Sequence, residues 1–149
     1  PPPAPLSSPA VRLALEPSVD PADYRFAQRV RVRFAETDAM GIVHHASYLP
    51  YLEEARVAYL RAIGHPYAEI RAGGIDIAVI EQWMRYLHPA QFGDEIVVHV
   101  RLGAPRGTTF QIAYLLTVDG AAHATAVTVH GCVTAAGRPV RLPDWLANL

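Results

Sequence analysis

Residues that can act on a carbonyl carbon are concentrated in one short stretch, Asp38–Tyr48, which holds Asp38, Gly41, Val43, His44, His45 and Tyr48. Asp38 follows a segment of alternating polarity and precedes one with helical spacing, which places it in a strand-to-helix loop. Free aspartate ionises near pH ~3.9, so a carboxylate there is a base or nucleophile at neutral pH. The amides opening a helix lack intrahelical partners and carry partial positive charge. A thioester carbonyl set against them is polarised, and its developing oxyanion is stabilised. Gly41 allows close backbone approach. Aspartates before helices also serve as caps and turn residues, so residue types alone leave both roles open.

Other chemistries find less support. His44 and His45 are adjacent, and adjacent side chains do not normally converge on one ion; no cysteine set or regular histidine spacing completes a metal site. The remaining histidines, His65, His88, His99, His123 and His130, are scattered and read as core or surface residues. Cys132 is the single cysteine, read as a small buried side chain. No Gly-x-Ser-x-Gly elbow marks a serine nucleophile. Glu53 and Glu54 read as a solvated helix face, and Trp83 and Tyr86 as core or interface packing.

The elements that must position Asp38 follow from periodicity. Val30, Val32 and Phe34 alternate with Arg29, Arg31 and Arg33, a strand with one buried face. Tyr48, Tyr51, Leu52, Ala55, Tyr59, Ala62 and Ile63 recur at helical spacing, with Ser47 as N-cap, Pro50 in the first turn and Gly64 ending the helix. One helical turn is expected from His65 to Arg71. Strands are expected over 75–87, 96–102, 110–118 and 123–134, with Asp119-Gly120 as a tight turn and a short helix from Pro143. Short loops favour antiparallel neighbours. The order is α+β: one amphipathic helix on one curved antiparallel five-stranded sheet. A single helix cannot cover both sheet faces, so at least a dimer is expected.

Residues 1–22 differ from the rest, with Pro1-Pro2-Pro3-Ala4-Pro5, Pro9, Pro17 and Pro21 reading as an extended arm and only Val11–Leu15 as a short strand. The expected division is this arm and a domain over 23–149. The 149 residues are 51% hydrophobic and 18% charged, with no apolar run long enough to span a bilayer and no signal-peptide pattern. A net charge of -1 gives no field favouring nucleic acid. The lone cysteine fits a reducing, cytoplasmic setting. All 13 basic residues are arginine, so phosphate binding must use arginine, amides or hydroxyls.

The run Arg33-Phe34-Ala35-Glu36-Thr37-Asp38-Ala39-Met40-Gly41-Ile42-Val43-His44-His45-Ala46-Ser47-Tyr48, continued by Tyr51, Glu53, Glu54, Ala55 and Arg56, resembles the signature of the 4-hydroxybenzoyl-CoA thioesterase family, in particular its YbgC-like branch. The likeness extends over roughly residues 27–145, through Pro89, Gly93-Asp94 and Arg106-Gly107-Thr108. It implies a hotdog fold, the sheet wrapped around a long central helix, with two subunits forming a continuous sheet and sites at their interface. It implies hydrolysis of an acyl-CoA or acyl-carrier-protein thioester. Asp38 would be the catalytic carboxylate; His45 would supply the carbonyl-binding amide, with its imidazole in support; Gly41, Val43, His44 and Tyr48 would line the substrate. Relatives acting on 4-hydroxybenzoyl-CoA carry tyrosine at the position of His45, which argues against that substrate. Arg106, Thr108 and Thr109 fall where relatives hold CoA phosphates, with Arg101 on the preceding strand in support. With one arginine in that loop, a carrier protein is an alternative to CoA. No cofactor is expected beyond the coenzyme A or phosphopantetheine of the substrate, and the assembly expected is a homodimer or homotetramer. A non-catalytic acyl-thioester-binding protein and a hydratase are the competing readings.

Overall fold

The computed structural model describes residues 13–149. Its elements run β1 (Phe26–Arg31), α1 (Tyr48–Ala62), α2 (Tyr67–Ala72), β2 (Asp76–Tyr86), β3 (Glu95–Arg106), β4 (Thr109–Val118), β5 (Ala121–Val133) and α3 (Asp144–Ala147). The strands form one antiparallel sheet in the order β1-β3-β4-β5-β2. Helix α1 lies across the concave face, in the hotdog arrangement. Consecutive strands are neighbours from β3 to β5, where tight turns join them. The expectation fails at β2, which lies at the edge beside β5, so residues 87–94 carry the chain to the other side of the sheet.

Helix α1 buries Tyr48, Tyr51, Leu52, Ala55, Tyr59 and Leu60. Its expected stripe stops short of Ala62 and Ile63, which are exposed where the helix ends. Facing α1 are Ile96, Val98 and Val100 of β3 and Phe110, Ile112, Tyr114 and Leu116 of β4, all at most 1% exposed. Phe26 stacks on Tyr59 with ring centroids 5.2 Å apart, tying β1 to the helix. Phe34 departs from its expected buried position. Strand β1 ends at Arg31, a 3-10 turn follows at Phe34–Glu36, and the ring is 76% exposed, in edge contact with Phe92 at 5.7 Å.

A polar chain runs through the core beneath β4 and β5. Tyr114 Oη, Thr128 Oγ1 and His130 Nε2 follow one another at 3.1 and 2.7 Å, while His130 Nδ1 is buried without a partner among the described residues. Burial, with the Arg56 charge adding, lowers the His130 pKa to about 3. The folded protein therefore refuses a proton that the unfolded chain accepts near pH 6.5, so stability falls as pH drops from there toward the folded value. About 2 kcal/mol is expected to be lost between pH 6.5 and 5. Denaturant melts across that range check this, and His130→Gln should flatten the slope.

Segment 13–24 lies against the domain. Leu13–Leu15 forms no strand, and Val11 and Arg12 of the expected strand lie outside the described residues. Instead the segment lies on the convex face of the sheet, where Gln111 Oε1 accepts the Ala14 and Leu15 amides at 2.9 and 3.3 Å. No helix among the described residues is long and apolar enough to cross a membrane.

Candidate active site

The loop before α1 folds back on itself as a small hairpin. Thr37 bridges Val43, the Asp38 N–H donates to Ile42 O at 2.9 Å, and the His44 N–H donates to Glu36 O at 2.8 Å. Its tip is closed by Asp38: the carbonyl accepts the Gly41 N–H at 2.9 Å, and carboxylate Oδ1 accepts the Met40 N–H at 2.8 Å. Gly41 sits at φ +76°, and a side chain there would meet nothing within 4 Å. The left-handed turn by itself calls for glycine at this position. The hairpin is pinned to the β2–β3 connection by an Ile42–Gln91 bridge and by the Val43 N–H donating to Ala90 O at 2.8 Å.

Beneath the hairpin lies a carboxylate that the sequence reading left inside the motif without a role. Glu36 is 9% exposed. Its Oε1 accepts the Arg33 N–H and the Tyr51 hydroxyl, both at 2.8 Å, and its Oε2 accepts Arg33 Nη2 at 2.9 Å. Burial opposes its charge, but the bonds from Arg33 and Tyr51 outweigh burial and hold the carboxyl below the usual range. The findable signal was the Arg33-x-x-Glu36 spacing of a reciprocal cap.

The helical backbone begins one turn earlier than expected, at His45–Ser47, and the cap is His44: its Nδ1 accepts the Ala46 N–H at 3.2 Å, while Ser47 makes no side-chain capping bond. The His44 and His45 rings lie 4.1 Å apart. The His45 carbonyl accepts the Tyr86 hydroxyl at 3.1 Å, and its N–H meets no acceptor among the described residues. A free amide on the first helical turn, beside a carboxylate, is the arrangement that binds an oxyanion.

Asp38, Val43, His45 and Tyr48 share a cleft of about 340 Å³ with Tyr86 and His88. Tyr86 was expected to pack, and His88 to be incidental. Pairing of β2 with β5 brings both to the site from some forty positions along the chain. The Tyr48 and Tyr86 rings lie 5.3 Å apart, and burial raises the pKa of both phenols. Through His45 and Tyr86 the cleft adjoins a second cavity of about 430 Å³ along Leu49, Gln82 and Met84. That cavity shares Leu49, Leu52 and Gln82 with a third, of about 270 Å³, lined also by Glu53, Arg56 and Thr128. Together they mark a trough between α1 and β2.

Arg106, Thr108 and Thr109 are not brought to Asp38. They occupy the β3–β4 turn, where Thr109 Oγ1 donates to Arg106 O at 3.2 Å. The hairpin of Asp38 is bound beside the start of β3, and Arg106 is the last residue of β3, eleven steps or about 36 Å of strand away. Arg101 is turned to the convex face, where its Nη2 donates to Glu16 O at 2.6 Å, so it does not support that loop. Among the described residues no group of three or more His, Cys, Asp or Glu could hold a metal ion.

Residues 32–149 match the sequence profile of the thioesterase-like superfamily. This chain belongs to that superfamily. A 1,4-dihydroxy-2-naphthoyl-CoA hydrolase of Synechococcus elongatus is 33% identical over 135 residues, covering 84% of this chain and 96% of the relative. A crystal structure of a hypothetical protein from Aquifex aeolicus superposes with TM-score 0.79 at 36% identity, covering 83% of this chain and 98% of that one. A Thermus thermophilus thioesterase, solved with coenzyme A and zinc, superposes with TM-score 0.69 at 30% identity, covering 82% and 88%. For a member of this superfamily, the free His45 amide and the Asp38 carboxylate stand in one cleft at the mouth of the trough.

Proposed function

We propose that this chain hydrolyses an acyl-CoA thioester to a carboxylic acid and free thiol, with Asp38 as general base or nucleophile. The observation that carries the reading is the unpartnered His45 N–H sharing a cleft with the Asp38 carboxylate. The carbonyl oxygen accepts the His45 N–H, which draws electron density from the carbonyl carbon. Asp38 Oδ1 is held by the Met40 amide, and no donor reaches Oδ2 among the described residues, so Oδ2 is the oxygen that acts. As base it takes a proton from water while the water oxygen bonds to carbon. The tetrahedral intermediate collapses with loss of the C–S bond, and the proton passes to the departing thiolate. As nucleophile, Oδ2 bonds to the carbonyl carbon and the C–S bond breaks to release the thiolate; water then opens the mixed anhydride, giving the product acid and the free Asp38 carboxylate, and its proton ends on the thiol. The His45 imidazole, at the cleft wall, is the second proton carrier. Substrate and water are the only reactants the scheme needs.

The acyl group lies in the trough between α1 and β2. Leu49, Leu52 and Met84 give it apolar walls, and Glu53, Arg56, Gln82 and Thr128 give it a polar far end. That composition, with the hydroxylated acyl group named for the Synechococcus relative, supports an acyl moiety bearing hydrogen-bonding groups. Thiol release from a panel of acyl-CoAs and acyl carrier proteins tests the reading. Turnover of CoA thioesters, faster with hydroxylated acyl groups, is expected; binding without turnover across the panel would leave a thioester-binding protein.

The active assembly is at least a homodimer joined through β2. This edge strand pairs only with β5 among the described residues, and Val79 and Ile80 on it are 43% and 47% exposed. Antiparallel pairing with the same strand of a second copy sets the partner's Asp76 end beside the Tyr86 end of the first. The Arg106 turn lies at the Asp76 end, because β2 residue Asp76 pairs with Val133 while Thr109 pairs with Gly131. The partner's turn therefore reaches the cleft that its own chain cannot supply. Lysine at both Val79 and Ile80 is expected to halve the mass in sedimentation and to cut CoA-thioester turnover at least tenfold. Arg106→Gln should raise KM for CoA thioesters several-fold with kcat kept.

A further inference from the structure

A sheet with one helix layer normally shows water a polar face. Here β4 and β5 are buried on both, and segment 13–24 is strapped across the convex side. Leu15 presses on Gly103 so closely that a Cβ there would stand 2.9 Å from its Cδ2. Arg101 fixes the Glu16 carbonyl and lies under the Tyr24 ring, its Cζ 5.8 Å from the centroid. Toward β2 the strap bridges the sheet rather than filling it, and leaves a half-open cavity of about 400 Å³. Ligand sites commonly hold roughly 300–1,000 Å³. Leu15 and Val19 line this one from the strap, Trp83 and Val127 from the sheet, and its charged groups are Glu16 and Arg85. Leu87 lines both this cavity and the Asp38 cleft, so the two meet around the end of β2. The matched superfamily profile begins at residue 32, so the strap side of the cavity lies outside it.

We propose that the strap cavity holds the nucleotide end of the substrate's coenzyme A, with the adenine under the strap against Trp83 and the pyrophosphate at Arg85. The inference rests on the acyl-CoA reading above. Its support is the order in which the groups stand. From the Asp38 cleft the path passes Leu87, then Arg85, then Trp83, about 7 and 13 Å of extended chain beyond Leu87. Along coenzyme A the order is thiol, pantetheine, pyrophosphate, adenosine. Arg85 is exposed and forms no ion pair among the described residues, so its guanidinium is available to a phosphate. Its Cζ stands 5.4 Å from the Trp83 ring centroid, which presents cation and aromatic surface together, and both stack on a base. Glu16 gives the strap side a carboxylate that can accept from the exocyclic amine of adenine. A fatty acid would use the apolar walls and Arg85 but meet Glu16 as a second negative charge. The nucleotide uses all three.

Titration of the full-length chain with free coenzyme A tests the site without turnover. Arg85→Gln and Trp83→Leu are each expected to weaken binding roughly tenfold. Val19→Trp, which fills the cavity from the strap and removes no polar group, should do the same. Kinetics supply a second readout. The KM for an acyl-CoA should rise by a similar factor, while hydrolysis of the same acyl group on N-acetylcysteamine, which lacks the nucleotide, keeps the wild-type rate. Absence of coenzyme A binding by wild type overturns the proposal, as does unchanged binding in Arg85→Gln and Val19→Trp, or equal losses on the two thioesters. Turnover of neither thioester by wild type would remove the thioesterase reading instead, and the coenzyme A titration would still decide the place of the nucleotide. If Trp83→Leu does not melt cooperatively, Arg85→Gln and Val19→Trp, both at exposed positions, decide under the same criteria.

Discussion

Asp38→Asn is expected to lower kcat roughly a thousandfold while substrate binding and thermal stability stay near wild type. Asparagine is the informative replacement because Asp38 has a structural part as well. Its Oδ1 accepts the Met40 amide and its carbonyl accepts the Gly41 amide, closing the hairpin tip. An asparagine side chain can make the same turn bond, since its carbonyl oxygen replaces Oδ1. It cannot replace Oδ2 as base or nucleophile. A residue serving only the turn would therefore tolerate asparagine with full activity, and that outcome would remove Asp38 from the mechanism. Asp38→Ala does not separate the two roles, because it loses both. Oxygen-18 from solvent appearing in Asp38 after one turnover would assign it as nucleophile; label in the product acid alone assigns it as base.

The parts of the site that sequence could show are those that are close along the chain. Asp38, His45 and Tyr48 sit on consecutive local structures, a tight hairpin and a helix start, whose residue types carry their own signals. Tyr86 and His88 reach the cleft because β2 crosses the sheet to lie beside β5, which no local period encodes. Arg106 is a step further removed, since its own chain leaves it at the far end of β3.

The fold divides in the same way. Period-two alternation marks β3 and β4, and the spacing of Tyr48, Tyr51, Leu52, Ala55 and Tyr59 marks α1. What alternation could not show is that the second face of β4 and β5 is also covered. Gln111, Thr117 and Thr125 are polar, yet they are at most 4% exposed. The cover comes from about ninety positions upstream, and Gln111 serves it as acceptor for two amides. Proline content in that segment signals an extended chain, which describes a strap as well as a free arm.

Glu36→Ala is expected to cost about 2–4 kcal/mol of stability, the largest loss from any single loop substitution before α1. The wild-type carboxylate gathers three groups: the Arg33 amide, the Arg33 guanidinium and the Tyr51 hydroxyl. Alanine leaves the Tyr51 hydroxyl without its acceptor on a ring that is 2% exposed, and a buried donor left alone costs more than the bond itself was worth. For a domain of this size that corresponds to a melting point lower by roughly 8–15 °C. Glu36→Gln, which still accepts from Tyr51, should lose about half as much. Because the folded carboxyl titrates below its unfolded value near 4.3, its contribution is complete above that pH and is lost as pH falls through the folded value. Glu36→Gln should remove this acid-side component and leave the His130 component, which begins near pH 6.5, in place. In a double-mutant cycle with Tyr51→Phe, a coupling near zero would mean the carboxylate does not hold the helix. Activity should fall with the same substitution, because the Glu36 carbonyl receives the His44 amide and the hairpin that carries Asp38 starts there. A loss of kcat in Glu36→Ala at temperatures where the variant is fully folded would show that this carboxylate positions the loop as well as stabilising it.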